Sequence, residues 1–362
     1  MCDSRKIAMV VTGLTIGGAE KVAVDLAIGL SKDKRNQLKV ISLSDRVSNQ
    51  FTDLLDVNNI EYKFLGDENL TTYKKFFRVF KFFNKFNPDI IHVHMDMRYT
   101  WLWSLFYKKK ILFTIHSQPI RIFDKKSKLL YKLLNRKKLI KFISVSKTIA
   151  SETQELLGIE KGEIRTIYNP VDIPELNMNL MTKKEQKVIK FVNVARFIKL
   201  KNHKLLIEAF EEVVKRNNRV HLTLVGDGDL LEDMKRLVKD NNIEKYVTFT
   251  GNVKNVGEIL KESDIFVLSS TTEAFPVSII EAMSYGLPII STNVGGIKEV
   301  ITDNGILVRS QDKKQMVSAM FTIINDATLR AKYANNSFLM AHEFSKNKIV
   351  KQYSEVYNEW FI

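Results

Sequence analysis

Two glutamates carry the clearest chemistry in the chain. Glu273 and Glu281 frame the segment Glu273-Ala274-Phe275-Pro276-Val277-Ser278-Ile279-Ile280-Glu281, just after an apolar run ending in Leu268-Ser269-Ser270. Pro276 suits the first turn of a helix, which puts Glu273 in a loop and Glu281 inside the helix. The helix N-terminus at Phe275, Pro276 and Val277 would face a phosphate. Two carboxylates beside such an end are wrong for phosphate alone. They are right for sugar hydroxyls, which donate well to an ionised oxygen. Arg196 and Lys201 form a second pair, on a short loop after an apolar run. Two cations there neutralise a diphosphate leaving group, or else make a solvated basic loop. Gly17 and Gly18 belong to the turn Thr12–Glu20, which opens a helix. They permit close backbone approach to an anion, although the spacing is neither G-x-G-x-x-G nor G-K-[ST] and a plain tight turn explains it as well. Asp227 and Asp229 have a D-x-D spacing open to a divalent metal. The structural reading is preferred: Gly226 and Gly228 make a turn, and Asp229 caps a helix starting at Leu230.

These groups need elements to hold them. Short β-branched runs alternate with helical stretches, the pattern of a parallel sheet covered on both faces. The expected strands of the first half are Lys6–Thr12, Leu38–Leu43, Tyr62–Leu65, Ile90–His94, Ile111–Ile115, Lys141–Val145 and Ile164–Tyr168. Helices are expected at Ala19–Leu30, Tyr73–Phe86, Ser127–Asn135 and Lys147–Leu157. A polar stretch, 173–187, reads as a linker. The pattern restarts at Val188–Val194, Val220–Val225, Val247–Thr250, Ile265–Leu268, Pro288–Ser291 and Ile306–Val308. Helices at Lys313–Asn325, Ala327–Ser337 and Ile349–Trp360 end the chain. The expectation is an α/β chain of two Rossmann-like doubly wound domains facing a central cleft, residues 1–172 and 188–345. The C-terminal helix in 346–362 would cross back to the first. Ligands of such sheets bind beyond the carboxyl ends of the strands, where the loops named above lie.

Composition narrows the class. The chain has 362 residues, 45% of them apolar and 27% charged, as in soluble globular proteins of two or three domains. Its single cysteine, Cys2, excludes a disulfide framework and a cysteine zinc site, and points to an intracellular protein. No signal peptide or spanning segment is read near the start. Charge is uneven: residues 1–170 hold 30 Lys and Arg against 17 Asp and Glu, while residues 171–362 hold 26 against 24. Within residues 71–147 the ratio is 19 to 3. Basic residues interleave there with Phe76, Phe77, Phe80 and Phe83, and again with Leu129, Leu130, Leu133 and Leu134. Such basic amphipathic helices fit an anionic membrane surface, or pack their apolar face into a core behind a solvated one.

In sequence the chain resembles the GT-B-fold, retaining, nucleotide-sugar-dependent glycosyltransferases of glycosyltransferase family 4. The residues that carry the resemblance are Glu273 with Glu281, Arg196 with Lys201, Gly17-Gly18-Ala19-Glu20, Pro88–His94, Thr114-Ile115-His116, Val145-Ser146, Asn169–Asp172 and Val294-Gly295-Gly296, all in register along nearly the whole chain. The resemblance implies roles. Glu281 would hold the ribose hydroxyls and Glu273 the hydroxyls of the transferred sugar. Arg196 and Lys201 would stabilise the leaving diphosphate. Gly17 and Gly18 would approach the donor phosphates, and His116 would lie near the reacting sugar. The family's chemistry is electrostatic, with no metal or other cofactor. Departures are Ala195 before the arginine, Asn202 after the lysine, read as a helix N-cap, and Ser117 after the histidine. His92 and His94 are read as facing opposite ways on their strand and are left out of the site.

The function expected is a hexosyltransferase, cytoplasmic and peripheral on the inner face of the cell membrane. It would move a sugar from a UDP-sugar to a lipid-linked or cell-surface acceptor, as in lipopolysaccharide or capsule synthesis. A GT-B-fold epimerase or phosphorylase is the enzyme alternative. A nucleic-acid-binding protein using the basic face is the non-enzyme one, disfavoured because no nucleic-acid motif is present.

Overall fold

The computed structural model describes residues 4–15, 17–67, 69–95, 100–175 and 188–361, so Cys2 and most of the expected linker lie outside the described residues. The chain divides into two compact units, Met1–Pro170 with Lys346–Ile362, and Val171–Ser345.

The first unit is built on β1 (Arg5–Val11), β2 (Asn36–Ser42), β3 (Glu61–Phe64), β4 (Ile90–His94), β5 (Lys110–Ile115), β6 (Ile140–Ser144) and β7 (Arg165–Thr166). They form one parallel sheet in the order β3-β2-β1-β4-β5-β6-β7. The second unit has β8 (Ile189–Val194), β9 (Val220–Val225), β10 (Val247–Gly251), β11 (Ile265–Leu268), β12 (Ile289–Thr292) and β13 (Gly305–Val308), parallel in the order β10-β9-β8-β11-β12-β13. Both are doubly wound. The strand order reverses between β1 and β4 in one unit and between β8 and β11 in the other, the point where such sheets open a crevice. The central strand β11 is buried on both faces, which is why it reads as an unbroken apolar run, and β4, buried throughout, is apolar except for His92 and His94. The edge strand β7 keeps only two residues of the expected Ile164–Tyr168: Arg165 and Thr166 pair in register with β6, and Ile167 N adds one bond to the Ser144 carbonyl at 2.9 Å.

The terminal helix Lys346–Phe361 completes the first unit. Ile349, Tyr353, Val356 and Tyr357 are buried, a stripe at helical spacing. Gly29 lets the helix Gly18–Ser31 lie against it: a Cβ there would strike the Val350 side chain. Lys346 pairs with the buried Asp25 at 2.8 Å, and Arg165 pairs with Glu355 and Glu359. Among the described residues no helix is long and apolar enough to cross a membrane.

Candidate active site

In the second unit the loop after β8 and the loop after β11 lie on either side of the strand-order reversal. The structure brings Lys201 and Glu273 together: the Lys201 ammonium donates to Glu273 Oε1. Ser270 Oγ donates to the same oxygen at 2.6 Å. Ser270 is fully buried, and its carbonyl accepts from Thr292 Oγ1 at 2.6 Å. The two loops are stapled behind this contact. Ser269 Oγ donates to the carbonyls of Lys201 and Asn202, both at 2.9 Å, and Thr271 N donates to the Leu200 carbonyl at 2.8 Å. Sequence reasoning missed Ser270; its only trace was the Ser-Ser pair ending a buried strand.

Arg196 is exposed on its loop. Glu281 is half-buried within the helix Val277–Ser284, while Phe275 is buried against Phe344, ring centroids 5.7 Å apart. Phe275 therefore offers a ligand only its backbone. Pro276 occupies the N-cap, one residue before the first turn expected for it. Gly295, at φ +55°, lies against the Glu273 backbone, where a Cβ would overlap the Glu273 carbonyl oxygen. Gly296 N donates to the Ala274 carbonyl at 3.2 Å. The Val294-Gly295-Gly296 run thus fixes where Glu273 begins.

The Asp227 turn is a brace. Gly226 and Gly228 have φ of +133° and +149°, and Phe197 N donates to the Asp227 carbonyl at 2.9 Å, which holds the Arg196 loop. Asp227 Oδ1 accepts from Gly228 N at 2.7 Å. The expectation that Asp229 caps the next helix is corrected. The helix is Leu231–Asp240, Leu230 holds the N-cap position, and no side chain caps it. Leu230 N bonds instead to the Phe197 carbonyl, which starts the helix one residue late. Asn202 does stand at the N-cap of helix His203–Arg216, but at φ +49° its side chain makes no capping bond. Among the described residues no three His, Cys, Asp or Glu are grouped to hold a metal.

In the first unit, Gly17 is the N-cap of the helix Gly18–Ser31 and Gly18 its first residue. The loop before them is pinned by Leu14 N to the Arg46 carbonyl, 3.1 Å, and Ser48 N to the Leu14 carbonyl, 2.6 Å. His116 follows β5, and its Nε2 lies 2.8 Å from His94 Nδ1. The reading of His92 and His94 as facing opposite ways is wrong. Residues two apart on a strand share a face, and their rings sit 4.2 Å apart, both buried. His92 spans Tyr357 Oη at 2.7 Å and Thr114 Oγ1 at 2.8 Å. Burial, aided by His116, pushes His92 down to about 3. Burial also pushes His116 down to about 3 and His94 well below the ordinary histidine value, so all three are neutral near pH 7.

Comparisons agree with this architecture. The model for Glycosyltransferase Family 4 matches residues 16–175, and that for Glycosyl transferases group 1 matches residues 180–340. N-acetyl-alpha-D-glucosaminyl L-malate synthase of Bacillus anthracis is 30% identical over 295 residues, covering 75% of this chain and 74% of that protein. The Escherichia coli UDP-Gal:alpha-D-GlcNAc-diphosphoundecaprenol alpha-1,3-galactosyltransferase is 26% identical over 310 residues, 78% and 79% of the two chains. Among solved structures, Anabaena HepE in complex with UDP-glucose superposes with a TM-score of 0.82 at 19% identity, over 98% of this chain and 100% of that one. With two doubly wound units and these sequence relationships, the chain is a transferase enzyme of GT-B fold and a member of glycosyltransferase family 4, the group 1 glycosyl transferases.

Proposed function

We infer that this enzyme moves a sugar from a UDP-sugar to a lipid-linked or cell-surface polysaccharide acceptor, with retention of anomeric configuration and no metal. The observation that carries the reading is the Lys201–Glu273–Ser270 cluster beyond the ends of β8 and β11. It sets one cation and one oriented carboxylate where a sugar diphosphate can lie across both. Lys201 and Arg196 then take the charge that develops on the leaving diphosphate. Glu273, held by Ser270, accepts from the sugar hydroxyls, and Glu281 accepts from the ribose hydroxyls. The helix N-terminus at Phe275, Pro276 and Val277 serves the phosphates through its backbone. In the first unit, the family resemblance assigns the helix start at Gly17 and Gly18 to a donor phosphate and His116 to the sugar.

A membrane-associated acceptor is supported from two sides. The Escherichia coli relative is named for a diphosphoundecaprenol acceptor. In this chain the basic residues 71–147 bear exposed apolar side chains. Tyr73 is 70% exposed and Phe77 53% on the helix Thr72–Phe86, and Leu129 is 75% exposed on the helix Lys125–Arg136. Other apolar members of these helices, Val79, Phe83, Tyr131 and Leu134, are core. Exposed rings among lysines suit the interface of an anionic bilayer. On this reading the enzyme works in the cytoplasm, peripheral on the inner face of the membrane, with no nucleic-acid partner.

The nucleotide role is tested at Glu281. Calorimetric titration of UDP into Glu281→Ala should show affinity lower by about 10- to 100-fold, because ribose hydroxyls lose an ionised acceptor. Unchanged UDP affinity contradicts the ribose assignment.

A further inference from the structure

We propose that His94 is a positioning residue that fixes the tautomer of His116, so that the neutral His116 ring carries its proton on Nδ1. The observation is a buried hydrogen bond with a one-sided solution. His94 Nδ1 and His116 Nε2 are 2.8 Å apart, edge to edge with ring centroids 5.0 Å apart and an interplanar angle of 23°. One nitrogen must carry a proton and the other a lone pair. His94 is 1% exposed, and its second nitrogen, Nε2, is buried without a hydrogen-bond partner among the described residues.

That second nitrogen decides the direction. If His116 Nε2–H donated, His94 Nδ1 would accept and the His94 proton would sit on Nε2. A buried N–H would then be orphaned, at a cost of about 1–3 kcal/mol. If His94 Nδ1–H donates, Nε2 is left as an unpaired acceptor, and native structures tolerate under-satisfied buried acceptors more often than orphaned N–H groups. His116 then accepts at Nε2, and its one remaining N–H is at Nδ1. The donor ring is itself held in place. His92 packs on His94 with centroids 4.2 Å apart. Both His92 nitrogens are engaged, by Tyr357 Oη and Thr114 Oγ1, and Thr114 Oγ1 lies 3.3 Å from Tyr353 Oη. The terminal helix thus backs a row of three imidazoles that ends at His116. A histidine fixed this way offers a sugar one hydrogen-bond donor and no charge. This use of the tautomer rests on the reading that His116 meets the transferred sugar; the tautomer itself does not.

The test separates the two. Nitrogen NMR of histidine-labelled full-length protein, which has six histidines, reads the proton position on each ring. Wild type should show His116 as the Nδ1–H tautomer at neutral pH, and His94→Phe should release it toward Nε2–H. In transfer assays His94→Phe should lower kcat about tenfold or more with donor KM little changed, as expected for a wrong tautomer. His94→Asn, whose side-chain nitrogen can stand near the Nδ1 position, should keep most of the rate. A wild-type His116 protonated on Nε2, or a His94→Phe enzyme with unaltered kcat, overturns the proposal. If His94→Phe does not fold, the wild-type spectrum and His94→Asn decide. If His116→Ala transfers at the wild-type rate, the sugar-facing reading fails while the spectrum still judges the tautomer.

Discussion

Lys201→Ala is expected to lower kcat by about 100- to 1,000-fold, the range seen when one preorganised charge-stabilising group is removed. Lys201 is only 20% exposed at its side chain and Glu273 10%, so their contact is partly shielded from solvent. Charge on a departing diphosphate grows as the sugar bond breaks, and a fixed ammonium answers that growth more than it answers ground-state binding. The effect therefore falls on kcat more than on donor KM. The substitution also leaves Glu273 with only Ser270 of its two observed partners and an uncompensated negative charge beside the diphosphate. Lys201→Arg, which keeps the charge in a different shape, should recover part of the rate. Steady-state kinetics, with urea unfolding to confirm an intact fold, is the check. A Lys201→Ala enzyme with wild-type kcat would remove the leaving-group role.

Acid is expected to destabilise both units, starting near pH 6.5. His203 is buried, stacked on Phe197 with centroids 4.1 Å apart, and among the described residues both its ring nitrogens lack hydrogen-bond partners. Burial, with Lys201 adding to it, pushes His203 down to about 4. In the other unit His92 and His116 are pushed down to about 3. In each case the folded value lies below the unfolded one, near 6.5. The stabilisation from keeping the ring neutral is therefore full above pH 6.5. It is lost as pH falls, because the unfolded chain binds the proton first. Each histidine steepens the fall by up to about 1.4 kcal/mol per pH unit. His203 stops contributing near pH 4 and the other two near pH 3. Urea unfolding between pH 7 and pH 4 should show the slope, and His203→Phe, which keeps the ring stack, should flatten it by about one proton. An unchanged slope in that variant would show that His203 is not held neutral.

The sheets were legible because buried parallel strands leave runs such as Ile90–His94, buried throughout, and Val220–Val225, buried except at His221 and Thr223, and both are observed at those bounds. The catalytic candidates were legible as loops because each follows such a run. What the sequence hid was long-range. Tyr353 and Tyr357 read only as part of a helix, yet they meet Thr114 and His92 more than two hundred residues away. Ser270 reads as a strand end, and only the fold turns its hydroxyl onto Glu273. His92 and His94 were misread by a local error, since a period of two places them side by side rather than apart. Asp229 followed cap preference, which the backbone bond from Leu230 to Phe197 overrode.

The most direct test of the central claim is transfer from a labelled UDP-sugar to a lipid-diphosphate-linked acceptor in anionic vesicles, run in excess EDTA and followed by proton NMR at the anomeric position. The account predicts a product with the donor's anomeric configuration, formed at an undiminished rate in EDTA, by an enzyme that floats with the vesicles at low salt and leaves them as salt rises. Reversing Lys128, Lys132 and Lys137 to Glu should release the enzyme from the vesicles without altering its affinity for UDP. An inverted product, a rate lost in EDTA and restored by manganese, or an enzyme that stays free of anionic vesicles at low salt would each contradict it.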